Sequence, residues 1–385
     1  MILIKNGTVL SMAGENIDNG EVLIDNGKII KVGRNLDIEG DCKVLDANGG
    51  YIMPGIIDAH CHIGMWEDAV GFEGADGNEA TDPATPHLRA IDAINPMDKC
   101  FKEAYENGIT CVCTGPGSAN VIGGTFTVIK TKGKRIDDMI VKEPAAMKVA
   151  FGENPKSTYD DKHQMPTTRM AIAAILRDYL YKTKDYIKAK EAGKKDEDDM
   201  PDFDIKMESL IPVMEGKIPL KAHAHRADDI FTAIRIAKEF NLKLTLDHCT
   251  EGHLIADELA KEGYPAIVGP SLTERSKIEL RELTFETAAV LAKAGVKIAL
   301  MTDHPVIPVH YLPLCAALAV KAGLDEETAL KAITINPAEI LGIDDRVGSI
   351  EVGKDADIVV FNKHPFDVQS KAMYVLIDGK IVYEK

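Results

Sequence analysis

Aromatic residues are scarce: 5% of 385 residues, with one tryptophan, Trp66. So few rings give little support for a large stacking pocket of the kind a purine would need, whereas a small site requires few. The chain also lacks a basic surplus. Lys and Arg total 45 against 61 Asp and Glu, a formal charge of −16. That excludes nucleic acid and anionic membrane as natural partners, since both demand a positive footprint. No stretch approaches the run of about eighteen apolar residues that a membrane span requires. The seven cysteines (42, 61, 100, 111, 113, 249 and 315) are odd in number and scattered, so no disulfide framework is expected. Met1-Ile-Leu-Ile-Lys-Asn-Gly7 is too short in apolar residues for a signal peptide, and a reducing cytoplasm is the expected location. Gly115–Gly124 is glycine-rich but lacks the Gly-Lys-Ser/Thr of a phosphate loop, so it reads as a loop over a barrel mouth.

What is present is an ordinary globular composition, 45% hydrophobic and 28% charged, long enough for one large α/β domain and a smaller one. The first fifty residues read as short strands (Met1–Lys5, Thr8–Met12, Glu21–Asp25, Lys28–Val32, Lys43–Asp46). Asn6-Gly7, Asp18-Asn19-Gly20, Asn26-Gly27 and Asn48-Gly49-Gly50 separate them as predicted turns. The last forty repeat that style at Ser349–Glu351, Ile358–Phe361 and Tyr374–Ile377, with Asp378-Gly379 opening a final hairpin. The two ends should therefore form one β-sandwich domain, residues 1–53 plus 345–385. Between them, residues 54–344 alternate buried apolar runs with helical stretches, which points to a parallel sheet. Seven strands are evident: Ile56–His60, Ile109–Thr114, Met147–Phe151, Pro219–His223, Lys243–Asp247, Ala266–Gly269 and Lys297–Met301. With an eighth, or an extra hairpin, hidden in Gly115–Lys134, this predicts an α/β fold with a (β/α)8 TIM-type barrel. The charge run Lys194-Lys-Asp-Glu-Asp-Asp199 reads as a solvated helix end or loop.

Chemistry-bearing residues recur at strand ends. Pro54-Gly-Ile-Ile-Asp-Ala-His60-Cys-His62 places two imidazoles on one strand face, since residues i and i+2 project together. Lys221-Ala-His223-Ala-His225-Arg226 and Leu244-Thr-Leu-Asp-His248 end two further strands, and Ile298-Ala-Leu-Met-Thr-Asp303-His304-Pro305 ends the last. Imidazoles with a carboxylate are the ligand set of a divalent metal. Cys111 and Cys113 lack a partner pair for zinc and read as buried packing.

These segments, together with Asn336-Pro337-Ala338 and the tail Gly348–Phe361, resemble the amidohydrolase superfamily, nearest its imidazolonepropionase-like and dipeptidase-like branches. The resemblance spans essentially the whole chain. It implies a hydrolase acting on a C–N bond, such as that of a cyclic amide, with deamination or dipeptide cleavage on the same machinery as alternatives. It implies a divalent metal, zinc or else iron or manganese, as one ion or two. His60, His62 and His223 match ligands. His248 matches a second ligand or a substrate-polarising group, and Asp303 matches a ligand that also moves the proton of the attacking water. His225 competes with His223 and would otherwise lie behind it or face substrate, as would His304. Where relatives use a bridging carboxylated lysine or a glutamate, no lysine stands at a strand end here, so Glu153 is the candidate. Arg226, Arg275 and Lys156 are possible anchors for a substrate carboxylate. A small-molecule substrate is expected, and a homo-oligomer is compatible with the β-rich flank. A metal-free scaffold should have lost ligands, and this chain keeps a full set.

Overall fold

The computed structural model describes residues 1–68, 71–196, 198 and 200–385. The chain opens with β1 (Ile2–Val9), β2 (Ile17–Asp25), β3 (Lys28–Gly33), β4 (Lys43–Asp46) and β5 (Tyr51–Pro54). Strand β1 pairs antiparallel with β2 and parallel with both β4 and β5. Asn26-Gly27 does make the β2–β3 hairpin, with φ of 48° and 80° at the two positions, as a two-residue type I′ turn needs. Asn6-Gly7 and Asn19-Gly20 do not turn. They lie within β1 and β2 as register shifts, with Gly7 directly opposite Gly20. Close approach explains Gly7: a Cβ there would stand 2.8 Å from that of Ala47 and 2.9 Å from the Gly50 carbonyl oxygen.

The barrel follows in chain order: β6 (Ile56–Cys61), β7 (Ile109–Thr114), β8 (Ile122–Lys130), β9 (Ile140–Ala150), β10 (Leu220–Ala224), β11 (Leu244–His248), β12 (Ala266–Val268) and β13 (Ile298–Leu300). Each pairs with its neighbours in sequence. The strands are buried on both faces, which is why they read as unbroken apolar runs. The strand missing from the sequence pattern is β8. It runs antiparallel to both β7 and β9, so the sheet is not wholly parallel as expected. The connection from β7, residues 115–121, is shorter than the dozen or so residues a parallel crossover needs. Closure of the ring is made just past β13. Asp303 N–H donates to the His60 carbonyl (3.2 Å) and His62 N–H to that of His304 (2.9 Å), while the Asp58 carboxylate accepts from Thr302 N (3.1 Å) and Oγ1 (2.5 Å).

The chain returns through β14 (Ile358–Phe361), β15 (Ala372–Ile377) and β16 (Lys380–Glu384). Strand β14 pairs with β5, so both ends of the chain share one sheet ordered β16-β15-β14-β5-β1-β2-β3. Ser349–Glu351, expected as a strand, is irregular. Buried Lys130, the last residue of β8, ties barrel to sheet through Asp357 (2.6 Å), Asp355 (3.3 Å) and Asp378 (3.3 Å). The long helix Arg169–Gly193 is capped by the Thr168 side chain, which accepts from Ala171 N–H. Of the charge run beyond it, Glu197 and Asp199 lie outside the described residues. Among the described residues no helix is long and apolar enough to cross a membrane.

Candidate metal centre

Two groups of ligand-competent side chains form where the barrel strands end. His60, on β6, and His62, just past it, meet Asp303, just past β13. His223, on β10, and His225 meet His248, the last residue of β11. Within each group one ligand atom per residue lies within 4.8 Å of the others. The groups adjoin, with the His60 and His248 ring centroids 5.5 Å apart; within the second group those of His223 and His248 are 4.2 Å apart. Two of these residues carry backbone strain: His248 and Asp303 hold φ of 77° and 54°, in the left-handed region that L side chains avoid.

The surroundings set the tautomers. His62 Nδ1–H donates to the Gly115 carbonyl (2.7 Å), His248 Nδ1–H to that of Gly269 (2.9 Å), and His60 Nδ1–H to Asp247. With Nδ1 protonated, each Nε2 keeps its lone pair and faces the shared space. His62 Nε2 lies 3.1 Å from Asp303 Oδ1 and His60 Nε2 lies 3.5 Å from it, while His248 Nε2 is buried with no partner. Burial drives the pKa of His60, His223 and His248 well below the ordinary imidazole value. That of His225 falls to about 3, from burial and then the Lys277 charge. Neutral, desolvated imidazoles with an orphaned ring nitrogen fit a divalent cation.

Asp247 organises the back of the first group. Its carboxylate accepts from His60, from Lys221 Nζ (2.9 Å) and from Thr245 Oγ1 (2.8 Å), all buried. For an ion held by His60, Asp247→Asn is expected to lower affinity about 10–100-fold, because the amide cannot accept from His60 and neutralise Lys221 together. Competition with a chromophoric chelator measures this, and an unchanged affinity would refute it.

Glu153 does not join either group. Strand β9 ends at Ala150, and Glu153 begins the helix Glu153–Asp160, where its N–H donates to Glu279 Oε2 (3.0 Å). The residue that sequence reasoning missed is Lys148. It lies inside β9, wholly buried, with Nζ 3.3 Å from His60 Nε2, and its charge acts on imidazoles of both groups. Burial brings its pKa down to about 8. A lysine within the apolar run Met147–Ala150 was the available signal. His225 is gathered with His223 rather than in place of it. His304 stays outside both groups, its Nδ1 accepting from Val309 N–H (3.3 Å). Arg226 pairs with Asp228 at 2.9 Å, and neither it nor Lys156 lines the cavity. That cavity, about 340 Å³, is bounded by His62, His223, His225, His248 and Asp303 on its polar side and by Trp66, Pro270, Pro305 and Val306 elsewhere.

Fold and site together define a barrel whose ligand-competent side chains gather at the strand C-termini, where barrel enzymes carry their active sites. Residues 51–382 match the model of the amidohydrolase family, so the chain belongs to that family and is an enzyme of that type. It is 48% identical to an amidohydrolase from Thermotoga maritima MSB8 whose crystal structure superposes with a TM-score of 0.97, covering 100% of both chains. The amidohydrolase tasK of Hapsidospora irregularis is 29% identical across 95% of this chain and 40% of its own length. Adenine deaminase 1 of Latilactobacillus sakei is 24% identical across 99% of this chain and 58% of its own. The chain thus spans about half the length of these two curated relatives. Others, 22–24% identical, are named 5'-deoxyadenosine deaminase, dihydroorotase and imidazolonepropionase.

Proposed function

We propose that this chain hydrolyses a C–N bond in a small amide, cyclic amides foremost, at a divalent metal centre. The observation that carries this reading is that members of both groups, His62 and Asp303 of one and His223, His225 and His248 of the other, line one cavity. The names of the relatives support it, since each bears on cleavage of carbon–nitrogen bonds. His60, His62 and Asp303 would hold one ion and His223 and His248 a second, with His225 beside the latter. Lys148, with Nζ beside His60 Nε2, would serve both groups as a carbamate: the neutral amine adds to CO2, an N–C bond forms, one proton on nitrogen leaves to solvent, and a carboxylate-like anion takes the place of the amine. Zinc suits imidazole with carboxylate best, iron and manganese being the alternatives.

When bound, such an ion supplies Lewis acidity and lowers the pKa of water from ~15.7 toward ~7. The chain does the rest. Asp303 faces the cavity, and its carboxylate is placed to accept the proton of the attacking water and deliver it to the leaving nitrogen. Asp247 and the Gly115 and Gly269 carbonyls keep His60, His62 and His248 oriented. Trp66, Pro270 and Pro305 keep bulk water from the reacting atoms.

Purified protein should carry about two equivalents of a divalent metal. Small amides, dipeptides and cyclic ureides screened with metal-loaded protein should reveal turnover that a chelator abolishes. Turnover surviving complete metal removal would end the proposal.

A further inference from the structure

Lys277 is the only lysine or arginine on the cavity wall among the described residues. Arg226, Lys156 and Arg275, which the sequence offered as anchors, are not on that wall, and Arg275 Nη2 is engaged with the Leu283 carbonyl at 2.6 Å. Lys277 is held rather than free. Its Nζ donates to Asn154 Oδ1 at 2.6 Å and lies 2.7 Å from Glu279 Oε1, whose carboxylate is buried and in turn accepts from Glu153 N–H. An ammonium has three donors, so one remains for a ligand. Asn154 continues the polar wall: its Nδ2 donates to Ser118 Oγ at 2.7 Å and lies 3.4 Å from His223 Nε2. A fixed cation is thereby linked, through one amide, to the edge of the metal centre. The remaining wall combines the apolar Trp66, Pro270, Leu280, Pro305 and Val306 with the uncharged polar side chains of Asn78, Thr273 and Ser276. At about 340 Å³ the cavity stands near the lower end of ligand sites, so both ends of a small ligand would be felt.

We infer that the substrate carries a carboxylate apart from its scissile bond, and that Lys277, steadied by Asn154, binds it and so sets specificity. This rests on the hydrolase reading for the word substrate, but the binding claim can be tested without turnover. Trp66, the chain's only tryptophan, lines the cavity and reports occupancy by its fluorescence. Two probes with no C–N bond serve: 4-oxopentanoate and its neutral counterpart 5-hydroxypentan-2-one. Metal-loaded wild type should bind the acid about tenfold or more tighter than the alcohol, as a charge-assisted contact in a small cavity implies. Lys277→Met should remove that preference at unchanged metal content and unfolding temperature, and Lys277→Arg should restore most of it. Equal binding of the probes by wild type, no saturable binding of either, or a preference that persists in Lys277→Met with the carboxylate resting on the metals, overturns the inference. Acid binding through Lys277 in a protein that cleaves no amide would sink the hydrolase reading alone. Hydrolysis without acid preference would sink this inference alone.

Discussion

Asp303→Asn is expected to lower turnover about 10²–10⁴-fold while leaving most of the metal bound. The substitution isolates proton transfer from architecture. Asp303 holds φ of 54°, and asparagine is the residue other than glycine most at ease in that left-handed region, so the closure just past β13 should survive. Its N–H still donates to the His60 carbonyl, and the amide oxygen still offers a ligand close to His62 Nε2. What is lost is basicity: an amide takes no proton from water near neutral pH. Turnover and metal content by elemental analysis are the paired measurements. Wild-type turnover would refute the role of Asp303 as proton carrier, and loss of metal together with activity would show that it acts as a ligand alone.

A second large effect is expected at Lys148. Lys148→Met keeps the unbranched stem, removes the buried nitrogen, and should reduce bound metal to at most about one equivalent, with turnover falling on the order of a hundredfold or more. Wild type grown or loaded with labelled bicarbonate should show a carbonyl-region ¹³C resonance that the variant lacks. Lys148→Ala should regain metal and part of its activity with added acetate or propionate, because a small carboxylate can occupy the space of the carbamate. Full metal content in Lys148→Met, or the absence of the labelled resonance from active wild type, would rule out the bridge. An amine acting merely as a buried cation would not be rescued by an anion, so the rescue separates the two roles.

The strand-end histidines were legible because strand geometry is local. Period-two projection puts His60 and His62 on one side whatever the rest of the chain does, and an apolar run before each histidine marks where its strand stops. The barrel, and the sheet shared by the two ends, were legible for the same reason: apart from β8, the barrel strands announced themselves by apolar runs, and most of the terminal strands did so by an apolar run or a turn beside them. Lys148 was not. A search for charge at strand ends passes over a lysine buried two residues inside one, although its place in β9 aims it at the same space. Nor was the part of His225, since choosing between His223 and His225 requires knowing what stands opposite, and His248 turns out to face both.

By itself, then, the sequence determined which side chains leave which strands and toward which face, because those depend on backbone geometry over two or three residues. Asn6-Gly7 shows where such reasoning stops: the same dipeptide that makes a hairpin at Asn26-Gly27 makes a bulge in β1, where Ala47 and Gly50 of the β4–β5 turn crowd Gly7. Only the tertiary structure decided the convergence of His60 with Asp303, separated by most of the chain, the antiparallel course of β8, and the placing of Lys277 over the cavity. Each of these is set by how the ring closes and by which loops fold over its mouth, and no local propensity encodes a distance across that ring.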